Sequence, residues 1–116
     1  MTERRRILRS LLEMDRPLDE ILRELAGFPW DSEEELETLR PPQVIGILRR
    51  YASGTLGAGE VEKWANAVEG RDDIGFEANH RALLQEVIFT LANPALQGAL
   101  SETLAAQWIQ SMSALE

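Results

Sequence analysis

His80, the chain's one histidine, follows Glu77 at Glu-x-x-His spacing. On a helix this spacing puts both side chains on one face, as in carboxylate-bridged di-iron bundles. Such a centre needs two copies of the motif and two further glutamates. One chain with one histidine holds only part of it, and a homodimer would have to supply the second copy. So short a motif recurs by chance, and it is weak evidence for a metal at Glu77 and His80. Other chemistry fares no better. There is no cysteine, which excludes a thiolate nucleophile, a disulfide and a sulfur-ligated metal. No Gly-x-Ser-x-Gly elbow is present to present a serine to a base. The run Gly54-Thr55-Leu56-Gly57-Ala58-Gly59 lacks the Lys-Ser/Thr ending of a phosphate loop. It also follows a helical stripe and not a strand, the wrong setting for a dinucleotide fingerprint. It reads as a helix–helix turn. No catalytic set assembles, and no cofactor is expected.

The least ordinary local composition lies between Trp64 and Phe76, where Arg71, Asp72 and Asp73 stand together between two apolar segments. In one reading an aspartate caps the following turn and Arg71 pairs locally, as loop aspartates commonly do. In the other, Trp64 anchors a partner and Arg71, Asp72 and Asp73 flank it with charge. The turn reading is favoured. Phe28-Pro29-Trp30 is a second aromatic feature. Pro29 pushes Phe28 toward an extended backbone. Phe28 and Trp30 are expected to plug the end of the core, and would be binding anchors if exposed.

The elements that carry these residues are read from apolar spacing. Ile7, Leu8, Leu11 and Leu12 mark one helix face, with Thr2 as its N-cap. Arg4, Arg5, Arg6 and Arg9 lie largely off that face. Arginines in a first turn oppose the helix dipole, so acidic neighbours or a partner are expected, or a solvated basic face. Pro17 opens a second helix with Leu18, Ile21, Leu22 and Leu25, closed by Gly27. Ser32 and Glu35 form a capping box that predicts a short helix over Glu33–Leu39. Pro41 starts a helix with Val44, Ile47, Leu48 and Tyr51 inward. Val61, Trp64, Ala65 and Val68 repeat that spacing up to Gly70. Leu83, Leu84, Val87, Ile88 and Leu91 define the most apolar helix, from about Glu77, which should be central. Ser101 caps a last one with Leu104, Trp108, Ile109 and Met112. No segment alternates with period two. The expected fold is all-α: a compact bundle of about five amphipathic helices with short loops, one domain over residues 1–116.

Charge narrows the partners. The net charge is −8, from 20 acidic and 12 basic side chains. The first 58 residues hold 11 acidic and 9 basic side chains, the remaining 58 hold 9 and 3. A phosphate backbone would be repelled by that second half, so no nucleic-acid partner is expected. The helix-turn-helix look of Val44–Arg71 fails for the same reason, because its second helix carries Glu60, Glu62 and Glu69. Arg9, Ser10, Glu13 and Asp15 interrupt the N-terminal apolar positions, which argues against a signal peptide. Apolar runs are too short for a membrane helix. A cytoplasmic protein without a membrane partner is expected, and a homodimer is compatible with arginines beside the first apolar stripe.

The stretch Leu48-Arg49-Arg50-Tyr51, Gly54, Leu56, Glu60-Val61-Glu62, Trp64-Ala65 and Arg71-Asp72-Asp73-Ile74 resembles small acidic helical bacterial proteins. It is also similar to colicin-type immunity proteins of the colicin D immunity kind. The resemblance implies a compact helical inhibitor whose acidic surface blocks a basic toxin nuclease. None of that family's toxin-contacting residues is carried onto a position here. The leading expectation is a non-enzymatic interaction module, an immunity or inhibitor protein for a basic partner. The alternative is a metal- or small-molecule-binding bundle with enzymatic activity.

Overall fold

The structure, a computed structural model, describes residues 2–115. α1 (Glu3–Glu13) starts where the Thr2 hydroxyl accepts the Arg5 backbone N–H, and it buries Ile7, Leu8, Leu11 and Leu12. It stops without a glycine. Met14 takes the left-handed region at φ 46° and is itself buried. The carbonyls freed at this terminus are satisfied from other elements. The Trp64 indole N–H donates to Leu11 at 2.7 Å, and Arg50 donates to Glu13 and Met14 at 3.3 and 2.9 Å.

After α2 (Leu18–Leu25) the chain runs through a loop into β1 (Glu37–Leu39). α3 (Pro41–Ala52) and α4 (Ala58–Glu69) follow, then β2 (Ile74–Phe76). A 3-10 turn (Ala78–His80) leads into α5 (Arg81–Ala92), the four-residue α6 (Pro94–Gln97) and α7 (Glu102–Ser113). The apolar stripes read from the sequence face the core in α1 to α5, with Leu22, Tyr51 and Leu83 half-buried at their edges; in α7 only Met112 of the expected face is buried, beside Ala105, while Leu104, Trp108 and Ile109 are half-buried. Ser101 caps α7 by accepting the Leu104 N–H at 3.1 Å.

Two expectations are corrected. The fold is mostly helical but not all-α, and among the described residues there are seven α-helices, where about five were expected. The predicted helix over Glu33–Leu39 is absent. Ser32 closes a local turn on Glu34, and the chain then extends into β1. β1 pairs in parallel with β2, Glu37 opposite Ile74 and Leu39 opposite Phe76. The physical reason is a shortage of apolar surface. Between Ser32 and Arg40 only Leu36 and Leu39 are large and apolar, too few for a buried helical stripe. The backbone finds other partners: the Asp73 carbonyl accepts the Leu36 and Glu37 N–H groups at 2.7 and 3.2 Å.

The packing pairs α3 with α7 and α4 with α5, while α1 lies against α2, α3, α4 and β1. α5 buries Leu84, Val87, Ile88 and Leu91, and leaves Gln85, Glu86 and Phe89 exposed. One apolar cluster joins the elements. The radius of gyration is 13.5 Å, against about 13.4 Å expected for a domain of this length. Among the described residues no helix is long and apolar enough to cross a membrane.

Candidate functional site

The connector from α4 to β2 carries the residues singled out by composition. Asp73 is fully buried, the one charged residue so placed among those described. A carboxylate removed from water needs charge-assisted hydrogen bonds. Asp73 receives three: from Arg71 Nε and Nη2 at 2.9 and 3.0 Å, and from Arg4 Nε at 3.1 Å. The same two guanidinium groups hold the 29–31 loop. Arg4 and Arg71 both donate to the Pro29 carbonyl, at 3.0 and 3.1 Å, and Arg4 reaches the Asp31 carbonyl at 3.3 Å. The Asp72 N–H takes the carbonyl between them, that of Trp30, at 3.0 Å.

Three successive carbonyls of one loop are thereby tied to α1 and to the connector. The Trp30 side chain is nonetheless 71% exposed. It forms one wall of a groove of about 290 Å³ between α2 and α4, lined by Leu22, Leu25 and Ala26 from the one side and Asn66, Ala67 and Gly70 from the other, with Arg71 its one charged lining residue. Both helices end at this groove. Lys63 of α4 pairs with Asp19 of α2 further back along the same two helices. That hydrogen bond, and the charge behind it, holds the Asp19 carboxyl below its ordinary value.

Arg71 and Asp72 also line a second depression beside β2, of about 220 Å³. There the Glu35 carboxylate lies over Gly75, so closely that a Cβ at that position would sit 2.2 Å from Oε1. Glu69 and Phe76 carry the surface on to a third, of about 490 Å³, bordered by Glu86 and Phe89. Phe89 is 43% exposed. One continuous face therefore runs from Trp30 to Phe89 around the end of α4. Glu35, Glu69, Asp72 and Glu86 supply its carboxylates, and Arg81 is an exposed cation on it.

The four residues expected at a partner surface fall in different places. Trp64 is fully buried in the core, its N–H spent on Leu11, and presents nothing to a partner. Asp73 is inside as well, and Arg71 is turned inward onto it with its side chain 8% exposed. Only Asp72 is open to solvent. Trp30, the aromatic residue that does lie on the surface, was expected in the core; Phe28 alone packs there. Glu77 and His80 do meet, at 3.5 Å across the 3-10 turn, and Glu77 is shared with Arg40 at 3.5 Å. Among the described residues no three His, Asp or Glu side chains gather to hold a metal ion.

The N-terminal arginines find acidic neighbours: Arg4 with Asp73, Arg6 with Glu3, and Arg9 with Glu37. Of the readings open for arginines that oppose the dipole, Arg4 takes the acidic neighbour, while Arg6 and Arg9 are paired but stay largely solvated. No protein-family model, curated protein or solved structure matches this chain.

Proposed function

We propose that this chain is a non-enzymatic interaction module that binds a basic protein through the face running from Trp30 to Phe89. It would act as an inhibitor in the manner of the immunity proteins its sequence resembles. The observation that carries the reading is Trp30. A large aromatic residue held in the open on a backbone tied at three carbonyls is a preformed anchor, and anchors of this type dominate binding energy in interfaces. The carboxylates around it add steering for a cationic surface, which raises association rates at low salt. The buried Asp73 and its arginines stand behind this face as its scaffold and offer no reacting group to a substrate.

The test is capture from the cell of origin at low and high salt, followed by reconstitution of the captured protein with purified chain. The expected partner is strongly basic, binds at low salt and is lost when Glu69, Asp72 and Glu86 are all changed to lysine. The reading fails if low salt recovers no basic partner, or if the reversed variant binds it as tightly as the original chain does. The variant's melting curve checks that its fold is retained.

A further inference from the structure

The depression at the Phe89 end of the face, of about 490 Å³, joins apolar surface to charge of one sign. Half of its lining is apolar: Ile88 is buried, Phe76 is half-buried and Phe89 is 43% exposed. Glu69, Gln85 and Glu86 complete it, and all three are exposed. Carboxylates from two different helices thus meet apolar side chains, with no cation in the lining. Arg81, an exposed cation of the face, lines the adjoining depression.

Both carboxylates are uncompensated. Glu69 is the last residue of α4, at the negative end of the helix dipole, where a cation is favoured and a carboxylate is not. No basic residue stands in that last turn. Glu86 has Ala82 and Thr90 four residues away on α5, and neither can neutralise it. Among the described residues neither glutamate has an ion-pair partner. The fold gains nothing from carboxylates so placed, whereas a cationic ligand would. The room exceeds a lone ion or one side chain. A single turn of helix is a cylinder about 10 Å wide and 5.4 Å long, roughly 420 Å³.

We infer that this depression receives a short basic stretch of the partner protein. One apolar side chain of that stretch sits among Phe76, Ile88 and Phe89, and a lysine or arginine on either side of it reaches Glu69 and Glu86. The inference rests on the proposed binding of a basic protein and specifies which of that protein's residues enter the face, and where. Burial of the apolar side chain supplies affinity. The charges supply selectivity, because an acidic or uncharged stretch leaves both glutamates unpaired.

Short blocked peptides separate this inference from the broader reading. Acetyl-Lys-Leu-Lys-amide is titrated into the full chain and followed by the backbone amide resonances of Glu69, Glu86 and Phe89. A second peptide, Lys-Ser-Lys, keeps the charge and removes the apolar side chain. A third, Glu-Leu-Glu, reverses the charge. The first is expected to shift these resonances saturably, the second to bind on the order of tenfold more weakly, and the third to give no saturable shift. Glu69→Gln should weaken binding of the first peptide several-fold. It should also raise the melting temperature, because it removes a carboxylate from a helix C-terminus. A glutamate kept for the fold would lower it. Trp30→Ser, at the other end of the face, should bind the first peptide within about twofold of the original chain.

No saturable shift by Lys-Leu-Lys would overturn the inference. Equal binding by Lys-Ser-Lys would do so too, since diffuse charge alone would then explain it, and so would equal binding by Glu-Leu-Glu. A Glu69→Gln chain that melts lower and binds the peptide unchanged would return that residue to the fold and overturn the site. A captured basic protein that binds Phe89→Ser, its fold checked by melting, as tightly as the original chain would overturn the site and leave the interaction reading standing. A Lys-Leu-Lys peptide that binds while no basic protein is captured would do the reverse.

Discussion

At the scale of single residues, Asp73 and Asp72 show how little sequence adjacency says about role. Both are aspartates in one connector, yet one is fully buried under two guanidinium groups and the other faces water. Removing one member of a buried charge network leaves the others unpaired, at a cost of about 3–5 kcal/mol. A domain of this length has roughly 6–17 kcal/mol in total. Asp73→Asn is therefore expected to lower the urea-unfolding free energy by about 3 kcal/mol or more, and Asp72→Asn to stay within about 0.5 kcal/mol of the original. Equal stabilities would show that Arg4 and Arg71 find other partners and that the loop is not held through Asp73. This part of the site was half legible. Adjacent Arg and Asp pointed to local pairing, whereas the arginines of α1 left acidic neighbours, a partner and a solvated face all open. The exchange of Trp30 and Trp64 between surface and core was not legible for Trp30. Trp64 sits at helical spacing with Val61, Ala65 and Val68, which places it inside. Trp30 has no such periodicity, and its exposure is decided by hydrogen bonds from residues far along the chain.

At the scale of elements, helices were legible and strands were not. Each helix except the four-residue α6, which buries nothing, repeats an apolar face over two or more turns and has a cap or a breaker at its ends, all of it local. Each strand has three residues, too short to show alternation, and their pairing joins Glu37 to Ile74 across two helices. The false helix at Glu33–Leu39 had a correct local signature with nothing to bury. Two serines make the contrast measurable. Ser101 accepts the Leu104 N–H and opens a twelve-residue helix packed on α3. Ser32 closes a turn of two residues on Glu34. Loss of a true N-cap costs about 1 kcal/mol. Ser101→Ala is expected to cost that much and to speed amide exchange in the first turn of α7. Ser32→Ala is expected to cost under about 0.5 kcal/mol. If Ser32→Ala were the more damaging change, the ordering of the loop that leads into β1 would rest on that hydroxyl and not on the Asp73 carbonyl.

At the scale of the whole molecule, the apolar stripe of α1 is consumed by the core; Leu96 and Leu115 are exposed elsewhere, and the Trp30–Phe89 face is the aromatic surface at which copies could meet. A two-fold dimer sets the same patch on both partners, so two copies of every carboxylate on it share one interface. At pH 7 the chain carries a net charge of −8, and Glu35, Glu69, Asp72 and Glu86 of two copies would be brought together, four carboxylates from each copy against its one exposed cation there, Arg81. Repulsion between such faces acts over about 10 Å at 0.1 M salt, farther than the contact itself. The chain is expected to stay apart from its copies at neutral pH, keeping the face open for a basic protein. Acid reverses the balance. The isoelectric point is near 4.7, and as the pH falls toward it the chain's net charge approaches zero while Trp30 and Phe89 are unchanged. Self-association should rise there, driven by the exposed aromatic surface. Light scattering after gel filtration should give a mass of 13.1 kDa at pH 7 and a larger one near the isoelectric point. The variant with Trp30→Ser and Phe89→Ser has the same charge and titrates alike, so general loss of solubility would affect it equally. It is expected to remain a monomer at the acidic pH. Association of the variant to the same extent would place the sticky surface elsewhere and remove the whole-molecule argument for this face.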